Sequence, residues 1–271
     1  MTEKKRRVAI MGAGAMGQAL ARGLMAASVF TPEQIVAADV DKGRLTAFSD
    51  ETGVESAGNV EAASSSDIII LAVKPAVIPA VLEEISNCIG HEQVVISIAA
   101  GITIQQIESK LKDGVPVIRA MPNIPCMVGA GAIVLSRGKN ASDSDFESAI
   151  AIFNAVGKAI EVPELLMDAV TGLSGSGPAF VYVVIEALAD AGMQAGLTSE
   201  QSAFLAVQTV FGAAKMVIDT GEHPARLRDM VTSPGGTTIA GLAALERGAL
   251  RAAIIDAVEA AVERSRELSQ D

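Results

Sequence analysis

With 271 residues, 50% of them hydrophobic, the chain can bury the cores of two ordinary domains. Lys and Arg total 21 against 32 Asp and Glu, and the net charge of −11 repels phosphate backbones and anionic lipid, so we expect neither nucleic acid nor a membrane as a partner. Cys88 and Cys126 stand apart from each other and from any His cluster, which predicts no disulfide framework, no metal site and a cytoplasmic location.

The first predicted unit is a strand, a glycine turn and a helix. Residues 7–11 are an apolar run rich in strand formers, GAGAMG follows at 12–17, and residues 18–27 read as a helix. This order is typical of a dinucleotide site. Gly12 would allow the tight turn, Gly14 the close approach of a pyrophosphate, and Gly17 the packing of helix on strand, while the helix N-terminus supplies partial positive charge.

A second strand, predicted at 35–40, contains Asp39, which stands 22 residues after Gly17. An acidic residue at this place binds the ribose hydroxyls of NAD and repels the 2′-phosphate of NADP. The alternative is a solvated loop carboxylate. Lys42 and Arg44 follow closely and can reverse the preference, so the residues leave the choice between NADH and NADPH open.

Further strands alternate with helical patterns. Strands are predicted at 68–73, 94–98, 115–120 and 132–135, and helices at 76–87 and 103–112. Strands that alternate with helices in this way form a parallel sheet through right-handed crossovers. We therefore expect an α/β fold, with an N-terminal Rossmann-type doubly wound parallel sheet. The small residues and proline after two of these strands outline one cleft at their carboxyl ends.

Near Pro163 the sequence pattern changes from alternating strands and helices to long helical segments. We expect a dinucleotide-binding domain at 1–163 and a C-terminal all-helical domain for substrate binding and dimerisation at 164–271. Residues 179–191 and 203–218 are apolar around most of the helix circumference, and such helices must be buried on nearly all sides. A second subunit is the expected cover, and a compact monomeric bundle is the alternative.

The stretch TSPGGTT, residues 232–238, precedes another predicted helix at 239–247. One hydroxyl among Ser233, Thr237 and Thr238 would serve as an ordinary helix cap. Three hydroxyls around Gly235 and Gly236 exceed that need and suit a small anion site at the positive end of a helix, as a substrate carboxylate requires. No Ser/His/Asp or Cys/His arrangement suggests covalent catalysis. For hydride transfer to a C=N bond, the protein has to orient the substrate and the cofactor and to provide one proton donor.

Several motifs together resemble the pyrroline-5-carboxylate reductases. They are VAIMGAGAMG, LAVKP, VISIAAGI, VIRAMPNIP, DAVTGLSGSGPAFVY, GAAKM, TGEHP and LRDMVTSPGGTTIAGLAALERG, in the family's order over nearly the whole chain. The resemblance implies reduction of 1-pyrroline-5-carboxylate to L-proline by NADPH or NADH, the last step of proline biosynthesis. It also implies an interleaved homodimer with active sites at the subunit contact, and larger rings such as a decamer.

The resemblance also implies roles for individual residues. It places Thr238 as proton donor to the imine nitrogen and Glu164 at the substrate site. The loop from Ser233 to Thr238 is implied to hold the carboxylate through the backbone amides of Gly236 and Thr237. Residues implied to bind the cofactor are Met11, Gly12, Ala13, Gly14, Ala15, Met16, Asn59, Ala72, Val73, Lys74, Pro75, Ala99 and Ala100. The glycine turn and the spacing described above add Gly17 and Asp39 to this set.

The chain departs from the family pattern after the second strand. Many members carry Ser, Thr, Asn or Arg there, whereas this chain has Asp39-Val40-Asp41, which leans toward NADH. Two alternatives stay open. A related imine or β-hydroxyacid oxidoreductase would share the scaffold, the latter with Lys215 as its catalytic lysine, and a non-catalytic dinucleotide sensor would need the glycine turn but not TSPGGTT.

Overall fold

The computed structural model describes residues 6–270. Within them the chain divides into two compact units. The first comprises the residues through Gly175 together with those from Ala261 onward, and the second is Ser176–Ala260.

An eight-stranded sheet forms the centre of the first unit. Its strands are β1 (Val8–Met11), β2 (Ile35–Ala38), β3 (Glu55–Ser56), β4 (Ile68–Leu71), β5 (Val94–Ser97), β6 (Val117–Met121), β7 (Gly131–Arg137) and β8 (Gly157–Glu161). Their spatial order is β3-β2-β1-β4-β5-β6-β7-β8. The first six strands follow the order of the Rossmann fold, with its switch point between β1 and β4.

Every strand pair is parallel except β6 with β7. The expected Rossmann-type doubly wound sheet is therefore confirmed, extended by two strands that run against the other six. Two strands were not predicted: β3, which has only two residues, and β8, whose sequence GKAIE is half-exposed and interrupted by charge.

Both faces of the sheet are covered, which explains the continuous apolar runs of the central strands. The helices of this unit are α1 (Ala15–Ala26), α2 (Lys42–Thr52), α3 (Asn59–Ser64), α4 (Ile78–Ile85), α5 (Ile104–Glu108), α6 (Asp143–Asn154) and α7 (Met167–Val170). One face carries Ile10 and Ile70 against α1, α2 and α6. The other carries Ala9 and Leu71 against α3, α4 and α5.

The second unit is helical, as expected. Its helices are α8 (Gly177–Gln194), α9 (Ser199–Thr220), α10 (Pro224–Met230), α11 (Thr237–Arg247) and α12 (Leu250–Gln270), whose last residues belong to the first unit. Helices α8 and α9 form a hairpin in which the two helices pack against each other. They approach closely at Gly192, where an added Cβ would lie 2.7 Å from Ser202 Oγ. Small residues at this crossing allow the two backbones to approach.

Most apolar side chains of α8 and α9 are exposed in the single chain. Helix α8 has no buried residue, and α9 buries only Ser202 and Ala206. Val183, Phe204 and Phe211 expose 63%, 68% and 59% of their surface. Two helical stretches, Glu164–Gln194 and Ser199–Thr220, are long and apolar enough to cross a bilayer, by length and composition alone. A contiguous apolar surface of this kind marks an interaction site.

Candidate active site

The carboxyl ends of β1, β2, β4 and β5 meet at one edge of the sheet. Backbone hydrogen bonds continue past the strands, from Gly12 N to Ala38 O at 2.7 Å, from Ala72 N to Met11 O at 2.8 Å, and from Ile98 N to Leu71 O at 3.1 Å. The segments 11–17, 72–75 and 99–100 therefore lie side by side at the switch point. Open α/β sheets bind ligands in this crevice.

The three glycines of the first turn differ in their surroundings. Gly12 has φ +111°, and a Cβ there would lie 2.6 Å from Ala72 O. A Cβ on Gly17 would lie 2.0 Å from Gly12 O, so helix and turn pack without room for a side chain. Gly14 would meet no atom within 4 Å. Its open side is the approach that a pyrophosphate needs.

Helix α1 begins at this turn without a side-chain cap. Gly14 is the N-cap residue in an extended conformation and makes no side-chain cap hydrogen bond. The first-turn amides of Ala15, Met16 and Gly17 are free to donate to a ligand. A helix N-terminus with free amides favours anions, so this end of α1 suits a phosphate group.

Asp39 contacts the glycine turn directly. Ala13 N donates to Asp39 Oδ2 at 2.7 Å, and Asp41 N donates to Oδ1 at 2.8 Å. Arg44 Nη1 lies 3.6 Å from Asp39 Oδ2, while Arg44 Nη2 donates to Asp41 Oδ2 at 3.1 Å. The Asp39 side chain is 9% exposed, so it is a nearly buried support of the turn and not a solvated loop carboxylate.

The remaining cofactor candidates line the same edge. Ala72 and Val73 are half-buried after β4, and Lys74 and Pro75 are exposed at the start of a 3-10 turn. After β5, Ala99 is buried and Ala100 is exposed. Asn59 is the first residue of α3, and its side-chain amide donates to Glu84.

Glu164 lies in the first unit, whereas the turn expected to hold the substrate carboxylate, residues 233–238, lies in the second. Its Oε1 accepts from Ile104 N at 2.8 Å and from Arg119 Nη1 at 3.1 Å. The Arg119 side chain is 7% exposed and the Glu164 side chain 31%. The carboxylate thus joins a central strand to the start of α5.

The hydroxyl-rich turn belongs to the second unit. It brings together Ser233, Gly235, Gly236, Thr237 and Thr238. Gly235 has φ +67°, and Gly236 N donates to Ser233 O at 3.1 Å, which closes the turn.

No hydroxyl caps α11, so the ordinary capping alternative is wrong. The helix begins at Thr237, two residues before the predicted start, and its N-cap is Gly236 with no side-chain cap hydrogen bond. Ser233 and Thr237 are exposed and Thr238 is half-buried. First-turn amides and hydroxyls are left for a ligand, and the helix dipole favours a negative one.

Within residues 6–270, no group of three or more His, Cys, Asp or Glu side chains is arranged to hold a metal ion. Lys215, the lysine that a β-hydroxyacid oxidoreductase would need, is exposed on α9. It pairs with Asp219 one helical turn away. This pairing is that of a helix surface residue.

Comparison with known proteins shows the family. Residues 164–268 match the protein-family model described as pyrroline-5-carboxylate reductase dimerisation, and residues 7–101 match the model described as NADP oxidoreductase coenzyme F420-dependent. A pyrroline-5-carboxylate reductase of Methanosarcina acetivorans is 48% identical over 98% of this chain and 99% of its own. 

The chain belongs to the pyrroline-5-carboxylate reductase family. Two solved structures agree with this membership. The pyrroline-5-carboxylate reductase of Coxiella burnetii has a TM-score of 0.93 at 37% identity, covering 98% of this chain and 99% of its own. The pyrroline carboxylate reductase of Plasmodium falciparum with NADP bound has a TM-score of 0.86 at 35% identity, with the same coverage.

Two buried polar residues were not predicted from the sequence. Arg119 is a charge within the apolar strand VIRAM. Asn123 donates from Nδ2 to Ser174 O at 2.9 Å and accepts from Ala132 N at Oδ1, also at 2.9 Å. It thereby ties the turn after β6 to the π-helical turn Thr171–Gly175. A charge or amide inside an apolar run is the signal that would have found both.

Proposed function

We propose that this protein reduces 1-pyrroline-5-carboxylate to L-proline with a reduced nicotinamide dinucleotide. The end-to-end match to pyrroline-5-carboxylate reductases, at 48% identity over 98% of the chain, carries the proposal. The glycine turn of the first unit and the uncapped α11 of the second supply the two anion sites that such a reaction uses. A sensor would have no use for the second.

The residues at the sheet edge fit a dinucleotide. Gly14 leaves open space beside the free amides of α1, and these amides would bind the pyrophosphate. Residues 72–75 and 99–100, with Asn59, would line the rest of the cofactor site. The bound nicotinamide would supply the hydride that goes to the imine carbon, the atom that becomes C5 of proline.

The turn from Ser233 to Thr238 would hold the substrate. The implied Gly236 amide already donates to Ser233 O at 3.1 Å. The amides of Thr237 and Thr238 would therefore donate to the carboxylate, and the Ser233 hydroxyl would add a further donor. As hydride reaches the imine carbon, the ring nitrogen takes up a proton, and the C=N bond becomes CH–NH. Thr238 is the proposed donor of that proton. Its hydroxyl stands in the first turn of a helix whose dipole already favours the substrate's negative end.

Asp39 would favour NADH. Its carboxylate is held by Ala13 N and Asp41 N at the end of β2, where the adenosine ribose is bound in Rossmann folds. A 2′-phosphate at this place meets the charge of Asp39. Arg44 is already shared between Asp39 and Asp41, so it offsets that repulsion only in part.

A second copy of the chain would cover α8 and α9. These helices expose long apolar surfaces, and residues 164–268 match a dimerisation model. We propose an interleaved homodimer, able to build larger rings, in the cytoplasm. Burial in a subunit contact accounts for apolar side chains around the whole helix circumference.

Substitution of Thr238 tests the proposed chemistry. Thr238→Ala should lower kcat by roughly 10²-fold or more, the usual contribution of a positioned proton donor, while dinucleotide binding stays intact. Thr238→Ser restores the hydroxyl and should recover most of the loss. Thr232→Ala is the matched control, because that hydroxyl donates to Arg228 O at 2.7 Å within the same stretch. Full activity in Thr238→Ala would remove Thr238 from the mechanism.

A further inference from the structure

We propose that Glu164 is a positioning residue of the dinucleotide site and not a substrate ligand. Its carboxylate fixes the segment 98–103, which follows β5 at the ligand edge of the sheet. This inference rests on the dinucleotide site proposed above, and it assigns Glu164 a role in cofactor binding that acts through other residues.

Arg119 is the buried charge that anchors Glu164. It lies in β6, with Ser97 and Ser136 as its neighbours in the adjacent strands. Taking a guanidinium out of water costs several kcal/mol unless an opposite charge and hydrogen bonds compensate. Glu164 Oε1 supplies that compensation at 3.1 Å. The carboxylate is therefore held in place from the sheet.

The same oxygen holds the start of α5. Thr103 is the N-cap residue, and its hydroxyl accepts from Gln106 N at 3.2 Å. Ile104 N, the first amide of the helix, has no partner within the helix and donates to Glu164 Oε1 at 2.8 Å. Glu164 thus couples the first residue of α5 to a buried position of the central sheet.

Hydrogen bonds hold segment 98–103 at both of its ends. At one end, Ile98 N donates to Leu71 O at 3.1 Å, so the segment leaves the sheet beside β4. At the other end, Glu164 fixes Ile104. Between them, Gly101 has φ +77° and Ala100 is exposed at the ligand edge. Ala100 is only four residues from Ile104, so a shift at Ile104 would displace the surface where the dinucleotide would bind.

Direct dinucleotide binding tests the inference without substrate. The dissociation constants of NADH and NADPH are measured by the nicotinamide fluorescence of purified wild type, Glu164→Ala and Glu164→Gln. Glu164→Ala should weaken binding roughly tenfold, since a charge-assisted anchor is lost. Glu164→Gln loses the charge opposite Arg119 but keeps an oxygen that accepts from Ile104 N, so it should bind dinucleotide at least about threefold more tightly than Glu164→Ala.

A second pair of variants keeps the test valid if Glu164→Ala does not fold. Ile104→Pro removes the amide hydrogen that Glu164 accepts, at a helix position where proline is tolerated and after a residue already at φ −81°, ψ 158°. Ile104→Ala removes the side chain but keeps that hydrogen. Ile104→Pro should bind dinucleotide at least about threefold more weakly than Ile104→Ala.

Two results would overturn the inference. One is an unchanged dinucleotide affinity in Glu164→Ala, with a raised KM for pyrroline-5-carboxylate, which would make Glu164 a substrate ligand. The other is equal affinity in the two Ile104 variants. Failure of the proposed reaction is distinguishable from both, because wild type would then bind dinucleotide without turning over pyrroline-5-carboxylate.

Discussion

Alanine at Gly12 and at Gly14 should have different consequences, although the two glycines are two residues apart. At Gly12 the backbone has φ +111°, and the new Cβ would lie 2.6 Å from the Ala72 carbonyl oxygen and 2.8 Å from its carbon. Strain of about 1–3 kcal/mol and overpacking of similar size add to roughly 4 kcal/mol. For a unit of this size, that lowers Tm by about 8–16 °C.

Gly14→Ala should leave stability nearly unchanged. The backbone at φ −73°, ψ −177° suits alanine, and the Cβ would meet no atom within 4 Å. Loss of a glycine N-cap costs up to about 1 kcal/mol, and the smaller entropy of the unfolded chain returns about 0.4–1 kcal/mol. Dinucleotide affinity should nevertheless fall at least about tenfold, or 1.4 kcal/mol, because the methyl group occupies the open side of the turn.

Thermal unfolding by circular dichroism and NADH titration by fluorescence separate the two effects. The predicted pattern is a lower Tm for Gly12→Ala, and an unchanged Tm with weaker binding for Gly14→Ala. Wild-type affinity in a stable Gly14→Ala protein would refute the approach of the pyrophosphate to this turn. Wild-type stability in Gly12→Ala would refute the close contact with Ala72.

Three further predictions concern charge, assembly and a buried thiol. Asp39→Asn should raise the ratio of kcat/KM for NADPH to kcat/KM for NADH by roughly tenfold, because one negative charge near the 2′-phosphate is removed. An unchanged ratio would show that Asp39 does not select the cofactor. Phe204→Asp places a charge on the exposed surface of α9 and should shift the protein toward monomer in sedimentation, with wild-type assembly as the contrary result. Burial raises the pKa of the Cys126 thiol, so the folded protein favours the neutral thiol over the thiolate. This preference contributes fully to the free energy of unfolding at neutral pH, and the contribution is lost as pH rises above the ordinary pKa of a thiol. Iodoacetamide at pH 8 should therefore modify the half-buried Cys88 well before Cys126, and equal rates would contradict that burial.

Local pattern was sufficient to predict the central strands of the sheet. Apolar runs bounded by Gly or Pro gave β1, β2 and β4 to within two residues, because strands buried on both faces are continuous in hydrophobicity. Strand β3 could not be predicted in this way. Its two exposed residues are a strand only because they pair with Val36 and Ala37.

Contacts between distant residues could not be read from the sequence. Asp39 was predicted at the ribose, but its hydrogen bond to Ala13 N joins residues 26 positions apart. Arg119 and Glu164 are 45 positions apart. Their pairing depends on how β6 and the turn after β8 meet, which no local pattern records. The start of α11 differed for a local reason, since Gly236 takes the extended N-cap conformation that a hydroxyl residue was expected to take.

The proposed reaction is tested most directly by a paired assay. Purified protein is given pyrroline-5-carboxylate with NADH or with NADPH, and loss of reduced-nicotinamide absorbance is measured together with proline formed. We predict proline in equal amount to the cofactor oxidised, with NADH the better of the two. Dinucleotide binding without proline formation from either cofactor would contradict the proposed function.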